Sequence, residues 1–262
     1  MDKEIENLTI DDLINESEGF LTKPFINIFF KLEGRDSELS LLKESLYKKR
    51  LKNTLLVGNP GSGKTAIVEE FAKVSINDCY VLEFNATSLL AGTRYRGDLE
   101  LKVDKILKLI TAFNRYNTDK PIVLFIDEIH TLMQKTCGPD SSSISDLLKT
   151  NLSKGNIIVI GATTNEEYER YVKPDLAITR RFSPIHIADL PNETVIKILK
   201  NFMINNIDDE ICEYVVNESK KIKRGVNPDI SIEILDRVQA RAKLRRIKIT
   251  TALVDEIIGI MM

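Results

Sequence analysis

The stretch GNPGSGKT, Gly58 to Thr65, constrains this chain more than any other. It continues the apolar run TLLVG, which ends in Gly58, and it opens a helical pattern that carries Ala66, Ile67, Phe71 and Val74 inward. The spacing is G-x-x-x-x-G-K-[ST], and a strand before it with a helix after it is the setting in which that spacing has physical meaning. Glycines let successive backbone N–H groups turn toward one anionic centre. The helix N-terminus adds positive potential. Gly58, Asn59, Pro60, Gly61, Ser62 and Gly63 are therefore expected to cradle a polyphosphate. Lys64 should reach the β- and γ-phosphates, and the Thr65 hydroxyl should hold Mg²⁺. The bland alternative is a glycine-rich turn with a chance lysine.

The rest of the chain supplies the sheet that such a loop needs. CYVLEFN, PIVLFID and NIIVIGATT read as further buried strands, and PIHIADL as a last one. DLELKVDKILKLITAFNRY and SDLLKTNLSKG read as helices between them, the second stopped by Gly155. Asp36 is placed to cap a helix running to about Lys49, with Leu39, Leu42 and Leu46 at helical spacing. Continuous apolar runs alternating with helices predict a parallel sheet covered on both faces. From about Pro191 onward every segment has helical periodicity. The fold class is thus read as α/β, a phosphate-loop αβα sandwich followed by a small all-helical domain. The expected divisions are an N-terminal extension over 1–32, a large α/β subdomain over 33–190 and a helical subdomain over 191–262.

Composition narrows the class further. The chain has 262 residues, 43% apolar and 29% charged, with a formal net charge of -2, so no global field draws it toward nucleic acid. Two histidines and three dispersed cysteines argue against a zinc site and fit a reducing compartment. The start, MDKEIENLTIDDL, is acidic and has no apolar signal core, and no apolar run is long enough to cross a bilayer. The expectation is a cytoplasmic protein with no membrane partner.

Four further constellations carry chemistry. IVLFIDEIH ends a buried strand at Asp127, which can bind the hydration shell of Mg²⁺, and Glu128 next to it can orient or deprotonate an attacking water. A strand that merely ends in two solvated acids is the alternative. VIGATTNEEY brings Thr163 and Thr164 to a neighbouring strand tip, where a hydroxyl could sense the γ-phosphate or simply cap the strand end. Arg180 and Arg181 are adjacent and precede an edge strand, and within one subunit they are expected to lie at a distance from its own phosphate loop. They are either a solvated pair or a pair that reaches into the site of a neighbouring copy. GTRYRG, residues 92–97, sets Tyr95 between two arginines and two glycines, which does not read as core. An aromatic ring on a loop of that kind can hold an extended chain without reading its sequence, or fold back onto its own subunit.

Taken in order, EGRDSELSLLKESL, GNPGSGKTAIVEEFA, LLAGTRYRGDLE, VLFIDEIHTL and IGATTNEEYERYVKPDLAITRRF resemble the first ATPase module of Clp-type AAA+ protein-unfolding machines. The likeness runs from about Gly34 to Phe182 and continues weakly through NPDISIEILD. It implies an AAA+ large subdomain with a helical lid, ATP and Mg²⁺ as ligands, and hydrolysis of ATP to ADP and phosphate. It implies that Gly58 to Thr65 and Asp127 bind the nucleotide and its metal, with the backbone of Gly34 and Arg35 near the adenine. It implies Glu128, Thr164, Arg180 and Arg181 as catalytic residues, the arginines acting in trans. Tyr95, Arg96 and Gly97 match the substrate-gripping pore loop. The implied assembly is a homo-oligomer, a hexameric ring when ATP is bound, working on a protein client or adaptor. Within the chain no second phosphate loop and no long coiled-coil insertion occurs, and Ile230 stands where the family carries a lysine.

The leading expectation is a ring-forming remodeller. The alternative is a nucleic-acid-associated AAA+ ATPase of the helicase-loader or transposition-regulator type, in which the loop arginines would meet phosphates. A third reading is a module that binds ATP to assemble and turns it over slowly. The TIDDLINES segment is read as a short amphipathic helix that either docks a partner or tethers the chain.

Overall fold

The computed structural model describes residues 8–24, 32–85, 96–133, 144–155, 157–202, 207–223 and 225–262. They form two compact units, one of Met1–Ile26, Leu39–Val57 and Val68–His186, the other of Asn27–Glu38, Gly58–Ile67 and Ile187–Met262.

The first unit is built on a six-stranded sheet with order β1-β3-β4-β5-β2-β6. Its strands are β1 (Leu21–Thr22), β2 (Asn53–Gly58), β3 (Tyr80–Phe84), β4 (Ile122–Ile126), β5 (Ile158–Thr163) and β6 (Phe182–Ile187). β3, β4, β5 and β2 pair in parallel, as their continuous apolar runs require. Every residue of β2, β4 and β5 is buried, because helices cover both faces. β6 lies at one edge and its burial alternates, with Pro184 exposed in the middle. A proline cannot donate to a further strand, so it also closes that edge to additional pairing.

The sheet departs from the all-parallel expectation at its other edge. β1 runs antiparallel to β3, pairing Leu21 with Phe84 and Thr22 with Glu83. The cause lies just upstream. Helix α1 (Ile10–Glu16) is closed by a capping box between Thr9 and Asp12. A turn through Glu18 and Gly19, both at positive φ, then sends the chain back along the sheet. Leu13, Phe20 and Leu21 are buried in the same core as the sheet, so the apolar face of the TIDDLINES helix is used within this unit. Lys102 and Lys105 pair with Glu18 and Glu16 across its polar side.

The helices of this part of the chain are α2 (Asp36–Tyr47), α3 (Lys64–Val74), α4 (Arg96–Tyr116), α5 (His130–Met133) and α6 (Ile144–Lys154). α7 (Asn165–Glu167) winds on into a π turn over Tyr168–Val172, and α8 (Leu176–Thr179) follows. Sequence periodicity does not register α5, α7 or α8, since none is long enough to display an apolar stripe. Phe71, Phe84 and Phe125 are among the largest fully buried side chains.

The second unit holds the four helices α9 (Asn192–Phe202), α10 (Asp209–Ser219), α11 (Asp229–Arg245) and α12 (Thr251–Met261) around their own core. Val195, Leu199, Val215, Ile234, Val238 and Val254 meet there. Ile230 is 3% exposed and belongs to this core, which explains an aliphatic residue at that position. Arg237 pairs with Glu233, and Arg241 and Arg245 pair with Glu256, so the basic stretch of α11 is largely occupied on the unit's own surface. The segments Asn27–Glu38 and Gly58–Ile67 group with these helices. No helix of the described residues is long and apolar enough to cross a membrane.

Candidate nucleotide site

The glycine loop can be built from its local constraints. Gly61 and Gly63 lie at φ +75 and +91, a region that penalises any side chain. A Cβ on Gly61 would stand 2.5 Å from Cβ of Asp229 on α11, and one on Gly58 would stand 2.8 Å from Cβ of Ile187. The Lys64 ammonium donates to the carbonyls of Gly58 and Asn59, each at 2.9 Å, so it lies over the inside of the loop. Arg35 braces the loop from behind. It is 3% exposed, donates to Glu38 Oε1 at 3.0 Å and donates to the Ser62 carbonyl at 2.9 Å. Gly34, at φ +69, has Thr194 so close that a Cβ would meet its methyl at 2.5 Å. A backbone held open by glycines, an ammonium at its centre and the first turn of an 11-residue helix fit a phosphate group. The Arg35 side chain is a finding that the motif did not contain. Its signal, a charged residue ahead of a helix, is indistinguishable in sequence from a surface arginine.

The second feature lies at the carboxyl edge of the sheet. The register pairs Val57 with Thr163 and Ile126 with Gly161, so β2, β4 and β5 end at nearly one level. Asp127 follows β4 and is half-buried, while Glu128 is exposed. Glu128 has a left-handed backbone, φ 48, rare for a residue with a side chain. Its N–H is taken by Asp127 Oδ1 at 2.9 Å, and the next N–H, of Ile129, donates to the Ala162 carbonyl of β5 at 3.0 Å. This turn lifts the Glu128 side chain out of the sheet and hooks the strand tip to its neighbour. Gly161 makes room for it, since a Cβ there would meet Ile129 Cδ1 at 2.9 Å. Burial and the nearby Asp127 charge raise the Glu83 carboxyl above its ordinary value. Among the described residues no group of three or more His, Cys, Asp or Glu has metal-binding geometry, which is compatible with Mg²⁺, an ion held by one or two carboxylates together with water and phosphate.

The two threonines have different environments. Thr164 caps α7: its hydroxyl donates to Glu167 Oε2 at 2.8 Å and accepts the Glu167 N–H at 3.2 Å. Thr163 is 2% exposed, with its hydroxyl 3.4 Å from both His130 Nδ1 and Glu167 Oε2. His130 Nδ1 lies 3.1 Å from the same carboxylate oxygen, and its ring stacks on Tyr171. Burial opposes ionisation of Glu167, but hydrogen bonds from Thr164 and the His130 and Thr163 contacts outweigh it and hold its carboxyl below the ordinary value. This array joins the tip of β5 to the segment that follows Asp127 and Glu128. Sequence reading found both threonines and neither His130 nor Glu167; only the spacing T-x-x-E of a capping box could have pointed to the latter.

Arg180 is exposed and Arg181 is half-exposed. Asn53, the first residue of β2, donates to the Arg181 carbonyl at 3.1 Å. Arg181 therefore sits at the amino edge of the sheet. Strands of this length at about 3.3 Å per residue put roughly 15–20 Å between the two edges. Asp127 and Glu128 are at the other edge, and the structure does not bring the arginines to them. Tyr95 lies outside the described residues. The backbone of Arg96 and Gly97 forms the start of α4.

A glycine loop of phosphate-loop spacing on a strand-to-helix turn and a parallel sheet ending in adjacent acids are the features of the phosphate-loop nucleoside triphosphatase class. The family model for AAA, the ATPase family associated with various cellular activities, matches residues 54–189, and the chain belongs to that family. It is 36% identical over 231 residues to the chaperone protein ClpB of Aquifex aeolicus (strain VF5), covering 81% of this chain and 22% of that protein. It is 32% identical over 228 residues to the ATP-dependent Clp protease ATP-binding subunit ClpC of Staphylococcus epidermidis (strain ATCC 12228 / FDA PCI 1200), covering 81% of this chain and 27% of that one. Its fold superposes on the S. cerevisiae Hsp104:casein complex in the extended conformation with a TM-score of 0.71 and 30% identity, over 83% of this chain and 39% of that chain. The chain thus spans about a quarter of the length of the ClpB and ClpC relatives it matches. None of these three relatives is a helicase loader or a transposition regulator, so that alternative is not favoured.

Proposed function

We propose that this chain is the motor module of a cytoplasmic, ring-forming protein remodeller that hydrolyses ATP with Mg²⁺, as a homo-oligomer that is hexameric when ATP is bound. The observation that carries the reading is the left-handed turn at Glu128, which spends backbone strain to present one carboxylate beyond the strand tip. In this reading Gly58 to Lys64 hold the β- and γ-phosphates, and the backbone of Gly34 and Arg35 borders the adenine. Thr65 and Asp127 would hold Mg²⁺, partly through water, and the ion supplies charge neutralisation at the phosphate oxygens. Glu128 orients a water and takes its proton as the water oxygen bonds to the γ-phosphorus and the bond to the β-phosphate oxygen breaks. Thr164 reports the γ-phosphate through the Glu167–His130 array. Arg180 and Arg181 complete the site of a neighbouring copy, which their position at the amino edge supports.

Residues 33–190 and 191–262 act as large subdomain and lid, with 1–32 as an extension. Movement of the lid against the large subdomain would drive the Tyr95, Arg96 and Gly97 loop against an extended protein client or adaptor. Similarity to ClpB and to a casein-bound Hsp104 supports a protein client over nucleic acid. The test is turnover with unfolded casein and with DNA, for wild type and Glu128→Gln. Casein should stimulate the wild type, and Glu128→Gln should bind ATP but hydrolyse it poorly. Full turnover by Glu128→Gln overturns the assignment, and stimulation by DNA alone favours the nucleic-acid reading.

A further inference from the structure

At the amino edge of the sheet in the first unit lies a recess of about 480 Å³ with a basic lining. Lys49, Arg50, Lys52, Lys154 and Arg181 line it, and among the described residues no aspartate or glutamate does. Among the described residues none of these five cations has a carboxylate within 4.0 Å. The floor is pinned by amides whose polar atoms are already used. Asn53 binds the Arg181 carbonyl and the Val159 N–H, and Asn114 binds both the N–H and the carbonyl of Ile122. Arg181 Nη1 donates to the Ala177 carbonyl, so the remaining donors of the recess come mainly from the other four cations, with the Thr118 hydroxyl beside them.

Helix dipoles do not account for so many cations. α2, α4 and α6 all end beside the recess, and each helix end contributes about half a negative charge. That is roughly one and a half negative charges against five full positive ones. Net positive charge in a walled recess concentrates anions, and arginine forks match phosphate oxygens. The volume lies within the range of small-ligand sites.

We propose that this recess is an oligophosphate-binding site, separate from the glycine loop and sharing only Arg181 with the proposed trans-acting pair. Lys49 and Lys52 from one side and Lys154 from the other would hold adjacent phosphates, with Arg50 and Arg181 as forked donors. The occupant is either a free oligophosphate or the triphosphate carried by a second copy, and the latter rests on the trans reading above.

The probe is sodium tripolyphosphate, titrated calorimetrically into Lys64→Ala protein, in which the glycine loop lacks its ammonium. Saturable one-to-one binding is expected, weakening with added salt. A Lys49→Gln/Lys52→Gln pair should lower the affinity at least tenfold, and a Lys220→Gln/Lys248→Gln pair should not. Should the first pair lower the melting temperature, Lys154→Gln serves as the reading variant. No saturable binding, or equal affinity in the recess and control variants, overturns the site. ATP-dependent assembly, followed by sedimentation, then separates the two sources. If a second copy's triphosphate is the natural occupant, Lys49→Gln/Lys52→Gln assembles more weakly than wild type; if a free oligophosphate is, the pair assembles as wild type does. Tripolyphosphate binding by a protein that never hydrolyses ATP would sink the proposed function and leave the recess standing.

Discussion

Asn53 ties Arg181 to the first residue of a central strand: its Nδ2 donates to the Arg181 carbonyl at 3.1 Å, while its Oδ1 accepts the Val159 N–H at 2.9 Å. One 7% exposed side chain thus aligns β2, β5 and the approach to β6. Asn53→Ala leaves a buried carbonyl and a buried N–H without this partner. It should destabilise the protein by about 2 kcal/mol in urea unfolding. Turnover should fall while nucleotide affinity holds. An unchanged unfolding midpoint would show that water replaces the amide without cost.

Arg181 at the amino edge and Asp127 at the carboxyl edge predict complementation between subunits. Arg181→Ala alone should bind nucleotide normally and lose about 100-fold or more in turnover. Mixing it with the equally inactive Glu128→Gln should restore part of the activity, because some sites then combine an intact Glu128 with an intact Arg181. Absence of rescue, in mixtures shown by sedimentation to assemble, would place the arginine in its own subunit's site.

The loop itself should tolerate no added methyl at Gly61. Gly61→Ala meets Asp229 Cβ at 2.5 Å and must also hold φ +75. Loss of nucleotide affinity by more than tenfold is expected, with a stability loss of at least about 1 kcal/mol from the backbone alone. Wild-type affinity in a fluorescent-nucleotide titration would mean that the loop relaxes without cost.

Arg35 offers a sharper contrast. Arg35→Leu leaves the Glu38 carboxylate with the Ser37 hydroxyl and a backbone N–H but no charge partner, and frees the Ser62 carbonyl, which should cost about 2–3 kcal/mol. Arg35→Lys keeps the charge but cannot reach both acceptors with one ammonium, and should recover less than half of that loss. Full recovery by lysine in the same denaturant series would reduce the brace to a simple charge pair.

The Glu167 array makes a pH prediction. The folded carboxyl titrates below its ordinary value, so its contribution to stability is present above about pH 4.5 and is lost as pH falls through the folded value. Glu167→Gln should flatten the acid limb of the stability–pH curve. It should also lower kcat more than it raises KM, since the array touches the strand tips rather than the loop. Parallel acid limbs for the variant and wild type would remove Glu167 from this linkage.

Much of this was legible in the residues because the signals are local. The continuous apolar runs of β4 and β5, the Gly155 stop of α6 and the glycine loop each follow from a few adjacent residues and their backbone preferences. Asp127 and Glu128 could be located at a strand end, but the left-handed turn at Glu128 could not, because it depends on the Ile129 hydrogen bond to Ala162 on another strand. The antiparallel β1 was missed because a two-residue strand has no period to detect.

The order of apolar runs, glycines and acids by itself determined an α/β nucleotide-binding chain with a helical tail and named the residues of its loop and strand tips. Tertiary structure alone decided which side chains serve them. Arg35 behind the loop, His130 against Glu167, and the five cations gathered from three chain segments at the amino edge are all long-range meetings. The reason is physical: backbone preference and burial pattern act over a few residues, whereas buried charge pairing and the crowding of like charges depend on where the folded chain returns.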